Sequence, residues 1–162
     1  MVVLRCTRKL LRYVGTPQTV SEPSTTILGD WFAQSVSIGH QRFVLLISER
    51  SRLPVLMSGR DLKNLARNFP DALAQVLDAL DVPSAAVTSE VEASREAVIS
   101  VTNNRSLIGT LNDFSFLLAY ELRQKPDTSL LDAALWLSRT PVGPLGSRMP
   151  DQVTRDLLGL GA

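Results

Sequence analysis

The stretch "ILGDWFAQSVSIGHQRFVLLISERSRLPVLM", residues 27–57, decides the fold. It holds two strand-like runs separated by Gly39-His40. In the first run Phe32, Val36 and Ile38 share one face at a period of two. The second, "RFVLLIS", is almost wholly apolar, as in a strand buried on both faces. A Gly-X pair between such runs predicts a two-residue type II′ hairpin. "ERSR" then turns the chain into a short third strand, "LPVLM". Pro54 has no N–H for a ladder bond, so this strand begins there or lies at an edge.

On the N-terminal side, "VVLRCT" reads as a strand and "RKLLRYV" as a short helix. A competing reading is an organellar targeting peptide, because Arg5, Arg8, Lys9 and Arg12 all precede the first acid, Glu22. Residues 15–26, with two prolines, read as a surface loop. On the C-terminal side the period becomes helical. Leu62, Leu65, Ala66 and Phe69, then Leu73, Val76, Leu77 and Leu80, repeat at i, i+3, i+4, i+7. Pro70, between the two sets, predicts a kink or the start of a second helix. "DVPSAAVTSEVEASRE" reads as a helix entered through Pro83, and "AVISVT" as a strand.

"NNRSLIGTLNDFSFLLAYEL", residues 103–122, reads as a long helix with Ser106 as its N-cap and Leu107, Leu111, Phe114, Leu118 and Leu122 on one face. Gly109, costly inside a helix, suggests close packing against a neighbour. A helix over 128–138 and a short one at "PDQVTRDLL" flank a Pro/Gly loop. The expected fold is a single α+β domain over residues 1–162: a small, mainly antiparallel sheet from residues 27–57, joined by "VVLRC" and "AVISVT", with several helices packed on it.

Composition narrows function by exclusion. Apolar residues make up 44% of the 162, and charged residues 20%, which is ordinary globular usage. No apolar run approaches the roughly 20 residues of a bilayer span. Cys6 is the only cysteine and His40 the only histidine, so the common Cys/His zinc frameworks are absent. No metal set and no cofactor signature is legible, and no G-x-S-x-G or phosphate-loop motif occurs. A reducing, cytoplasmic setting fits a single cysteine.

Net charge is +1 but uneven. Residues 1–67 carry ten Lys/Arg against four Asp/Glu, whereas residues 71–96 carry Arg95 alone against six acids. Arg60, Lys63 and Arg67 fall at i, i+3 and i+7, with Arg50 and Arg52 just before. Read as one helix face and its entering turn, these five form a basic patch suited to nucleic acid or a protein partner, with Arg5, Arg8 and Lys9 as possible additions. The bland reading pairs this patch with the acidic 71–96 segment. A second hypothesis is a small hydrolase or nuclease-like enzyme using the carboxylates Asp30, Glu49 and Asp113. Asp30 and Glu49 stand near the ends of two strands that the hairpin would pair. Asn112 and Asp113 form a polar site on the long helix, or else fix a loop or pair with Arg105, Arg139 or Arg148. His40, at the hairpin tip, reads as a turn residue before it reads as a base.

The segments "LRCTRKLL", "LGDWFA", "LISERSRLPVLM", "NRSLIGTLNDFSFLL" and "TPVGPLGSRMPDQVTRDLL" together resemble a family of short bacterial proteins known only as a domain of unknown function, with an RSxxGxxNDF segment. The likeness covers nearly the whole chain. It implies a bacterial, intracellular, single-domain protein in which "LRCTRKLL" belongs to the domain, and it carries over no catalytic residue.

Overall fold

β-Branched and aromatic residues build five strands. They are β1 (Val2–Cys6), β2 (Trp31–Ile38), β3 (Gln41–Ser48), β4 (Pro54–Ser58) and β5 (Ala97–Val101). The computed structural model describes residues 1–159, and these form one α+β domain. Six helices complete it: α1 (Arg8–Val14), α2 (Leu65–Ala79), α3 (Ser84–Ser94), α4 (Arg105–Gln124), α5 (Leu130–Leu137) and α6 (Pro150–Leu157).

The strands lie in the order β4-β3-β2-β1-β5. The β2–β3 and β3–β4 pairs are antiparallel, whereas β1 runs parallel to both β2 and β5. The antiparallel sheet expected from residues 27–57 forms, but β1 and β5 join it in the parallel sense, so the sheet is mixed and not purely antiparallel. The connections explain this. β2, β3 and β4 follow one another through tight turns, but β1 reaches β2 through α1 and β4 reaches β5 through α2 and α3. Helical crossovers of that length return strands in the parallel sense.

The hairpin turn matches its expected type. Ile38 pairs with Gln41, Gly39 has φ +60, and His40 stays out of the left-handed region, as type II′ requires. Pro54 opens β4, which is an edge strand, so its missing N–H costs no ladder bond.

The register sorts side chains onto two faces. Leu4, Trp31, Leu46 and Val55 share one, with Leu4 beside Trp31 in one row and Leu46 beside Val55 in another. There Trp31 meets Phe69 of α2 edge-on, with ring centroids 5.0 Å apart. α1 lies on this face too, with Tyr13 against Arg42 of β3. Phe32, Gln34 and Val36 point to the other face. Gln34 Nε2 donates to the Leu111 carbonyl (3.1 Å) and to Ser115 Oγ (2.5 Å) of α4. α3 packs along α2, and α5 against α4 and β4.

Local details correct the sequence reading. α2 begins at Leu65, after a 3-10 turn at Leu62–Asn64, and runs unbroken through Pro70. The N-cap of α4 is Asn104, whose side chain accepts from Leu107 N (3.1 Å), so Ser106 lies inside the first turn. Gly109 is exposed, and a Cβ there would meet nothing within 4 Å, so it marks no close packing. No described helix is long and apolar enough to cross a membrane.

Candidate functional site: the two ends of the β3–β4 hairpin

The five candidate cations do not form one patch. β4 separates them: at about 3.3 Å per residue its five residues place Arg50 and Arg52 about 16 Å from Arg60. Arg60 stands in the turn after β4, Lys63 in the 3-10 turn and Arg67 in α2, so the three share no single helix face.

Arg52 is turned inward. It is 8% exposed and sits in the left-handed region at φ +59. Its Nη1 donates to Thr110 Oγ1 (3.0 Å) and its Nη2 to Ser106 Oγ (3.2 Å), which staples the β3–β4 turn to the first turns of α4. Burial pushes the guanidinium below its ordinary value, and Glu49 opposes that fall. Arg50 is exposed and donates to the Ile27 carbonyl at 2.8 Å.

Asp30 and Glu49 do meet, as their strand-end positions suggested. Glu49 N donates to the Asp30 carbonyl (2.8 Å), and Asp30 N to Glu49 Oε1 (3.3 Å). They line a polar cavity of about 280 Å³ with Arg5, Ser24, Arg50 and Asn103. The Asp30 carboxylate is fully engaged there. Oδ2 accepts from Arg5 Nε at 2.7 Å and Oδ1 from Ser24 Oγ at 2.6 Å. Ser24 Oγ in turn accepts from Val3 N, and Arg5 Nη1 donates to the Val101 carbonyl. The network ties the 15–26 segment to β1, β2 and β5. Asp113 lines a different cavity, between α4 and residues 140–144, so the three carboxylates do not converge. Among the described residues no group of three or more His, Cys, Asp or Glu is placed to hold a metal ion. Cys6 is buried, and burial pushes its thiol up to about 12, far from a nucleophile's range.

Among the described residues no direct ion pair joins the basic patch to the acidic 71–96 segment, although the charge of Arg50 acts on Glu90. Arg95 pairs with Glu92 within that segment. Glu90 turns inward, accepting from Ile27 N (2.5 Å) and Leu28 N (3.4 Å). Burial raises its pKa, and those two N–H groups and Arg50 partly offset the rise.

At the other end of the hairpin the cations gather. Arg12, Arg42, Arg60 and Lys63, with Tyr13, line a depression of about 330 Å³ in which Asp61 is the one carboxylate. Asp61 is held by Asn64 Nδ2, at 3.0 and 3.1 Å from its two oxygens. Among the described residues none of the four cations has an ion-pair partner. The Arg42 guanidinium lies 4.6 Å from the centre of the half-exposed Tyr13 ring. Gly59 makes the arrangement possible. Its N–H donates to the Arg42 carbonyl (2.8 Å), and a Cβ there would stand 2.7 Å from that oxygen. The close approach sets Arg60 beside Arg42.

Sequence reasoning missed Arg12, Tyr13 and Arg42 because tertiary packing, not spacing, unites them with Arg60 and Lys63: α1 docks on the sheet and on the 3-10 turn, and the β3–β4 pairing brings Arg42 to Gly59. The available signal was α1 itself, a cationic helix in an acid-free opening of the chain.

Asn112 and Asp113 are exposed on α4, and among the described residues neither side chain has a hydrogen bond or an ion pair to Arg105, Arg139 or Arg148. No curated protein and no solved structure matches the chain. Residues 3–153 match the family model described as a domain of unknown function (DUF6933), and the chain belongs to that family.

Proposed function

We propose that the protein is a binding module that holds nucleic acid through the depression lined by Arg12, Arg42, Arg60 and Lys63. The observation that carries this reading is four cations around one concavity with no acid partner among the described residues. Cations not tied into an ion pair within the protein are suited to phosphate oxygens, and guanidinium groups bind them bidentately. Tyr13 adds an aromatic surface next to the charges, on which an unpaired base can stack. The hydrolase alternative has less support, because both Asp30 oxygens are engaged by Arg5 and Ser24, and Asp113 stands at another cavity.

Fluorescence anisotropy with a short single-stranded oligonucleotide tests the proposal. Binding at low ionic strength should weaken steeply with salt. About four neutralised phosphates give a log–log slope near −3, since each releases condensed counterion. Reversing Arg12, Arg60 and Lys63 to Glu should abolish binding, whereas Arg50→Glu should leave it intact. No binding by the parent at low salt would overturn the nucleic-acid reading.

A further inference from the structure

The outer face of α4 is the molecule's most conspicuous uncovered surface. Phe116 is 76% exposed and Tyr120 58%, the two highest values among the large apolar side chains of the described residues. Successive helical residues lie about 100° apart, which places Arg105, Gly109, Asp113, Phe116, Tyr120 and Arg123 within an arc of about 100°. All six are exposed. The opposite side of the helix, with Leu107, Leu111, Phe114 and Leu118, enters the core. Beside the exposed stripe runs a cavity of about 380 Å³ between α4 and residues 140–144, lined by Phe114, Leu117, Pro141 and Val142 among others.

The stripe is complementary to itself. Phe116 lies two residues before Leu118 and Tyr120 two after it; Asp113 lies five before and Arg123 five after. An antiparallel copy of the helix, related by a two-fold axis at the level of Leu118, therefore sets Phe116 of one copy against Tyr120 of the other. The same operation sets Asp113 against Arg123, about 7.5 Å along the helix on each side of the axis. Each pair occurs twice, as an isologous interface requires. Among the described residues Asp113 and Arg123 have no ion-pair partner within the chain. A partner of unrelated sequence would not require this symmetry of charge and apolar surface, but a second copy does.

We infer that the chain forms a two-fold dimer through antiparallel packing of α4 on α4. Phe116 and Tyr120 form its centre, Asp113–Arg123 ion pairs flank it, and the 140–144 groove borders it. α1 lies on the other face of the sheet, so both basic depressions stay open. One helix face is smaller than the roughly 800 Å² per partner of a typical stable complex, so the dimer should dissociate on dilution.

Sedimentation velocity over a concentration series reads this directly. The parent should pass from monomer to dimer between about 10 μM and 1 mM, the weak range that so small an interface allows. Phe116→Asp should remain monomeric throughout. Asp113→Arg should weaken the dimer at least tenfold, because it sets like charges together at two symmetric places. Adding Arg123→Asp to that variant should restore association to within about threefold of the parent. All three side chains are exposed, and unchanged circular dichroism verifies the fold. A parent that is monomeric at 1 mM overturns the inference. So does a dimer that Asp113→Arg leaves intact, or one that the double reversal fails to restore.

Discussion

At the Asp30 end of the β3–β4 hairpin, Arg5 and Arg52 direct their guanidinium groups into the protein. Arg5 clasps Asp30 at 2.7 Å, and Arg52 joins Thr110 and Ser106. At the Arg42 end, Arg12, Arg42, Arg60 and Lys63 have no carboxylate partner among the described residues. The residue types are the same, and the two ends lie about 16 Å apart along β4. What separates them is burial and the presence of an acceptor. An arginine next to a closed turn or a covering segment is a structural fastener. One beside the open depression has no such partner among the described residues. Sequence proximity does not decide between the two roles: Arg52 and Arg60 lie eight positions apart and fall on opposite sides of the divide.

The contrast predicts opposite responses to mutation. The largest effect belongs to Asp30→Ala. The Arg5 and Asp30 side chains are 15% and 12% exposed, and removing the carboxylate strands the Arg5 charge and the Ser24 hydroxyl. Breaking such a pair costs about 3 kcal/mol. The urea midpoint should fall accordingly, and the 15–26 segment should become more open to proteolysis. A loss below about 0.5 kcal/mol would place the pair among ordinary surface bridges and break the comparison.

An intermediate effect of opposite sign belongs to Gly109→Ala. The position is helical and exposed, with open space where a Cβ would stand. Alanine there should stabilise the protein by about 0.5–1 kcal/mol, by helix propensity and a less flexible unfolded chain. Urea denaturation measures it. A destabilised variant would mean that Gly109 is pressed against something, which includes a second copy of α4; repeating the measurement on dilute monomer separates the two causes.

Local structure was legible in the sequence because it is set by local chemistry. Val2 to Leu4 read as a strand from side-chain shape, Gly39 as a II′ hairpin from its conformational freedom, and Pro54 as an edge from its missing N–H. Parallel pairing of β1 with β2 and β5 was harder to read, because nothing within "VVLRC" or "AVISVT" names a neighbour. The clue lay in the helical connections between the strands. The α4 cap was ambiguous for a simple reason: Asn104 and Ser106 are both good caps, and Arg52, 54 residues earlier than Ser106, claims the serine hydroxyl. Arg60, Lys63 and Arg67 share no helix face, because charges at i, i+3 and i+7 imply one face only if the helix has already begun. Here it begins only at Leu65, after the 3-10 turn at Leu62–Asn64.

The smallest expected effect is the sharpest test of the comparison. Arg60→Ala removes an exposed cation that has no acid partner among the described residues and packs at an open depression. A side chain that fastens nothing should leave the urea midpoint within about 0.5 kcal/mol of the parent, in contrast to Asp30→Ala. Deleting a cation from a cluster of like charges also relieves repulsion, so a slight gain in stability at low salt is the expected direction. That gain should fade as ionic strength rises, since the Debye length contracts to about 8 Å at 0.15 M and screens the remaining cations. A fall of 1 kcal/mol or more would show that Arg60 fastens the β4–α2 connection. The two ends of the hairpin would then use their arginines alike, and the open cluster would lose its standing as a surface for a ligand.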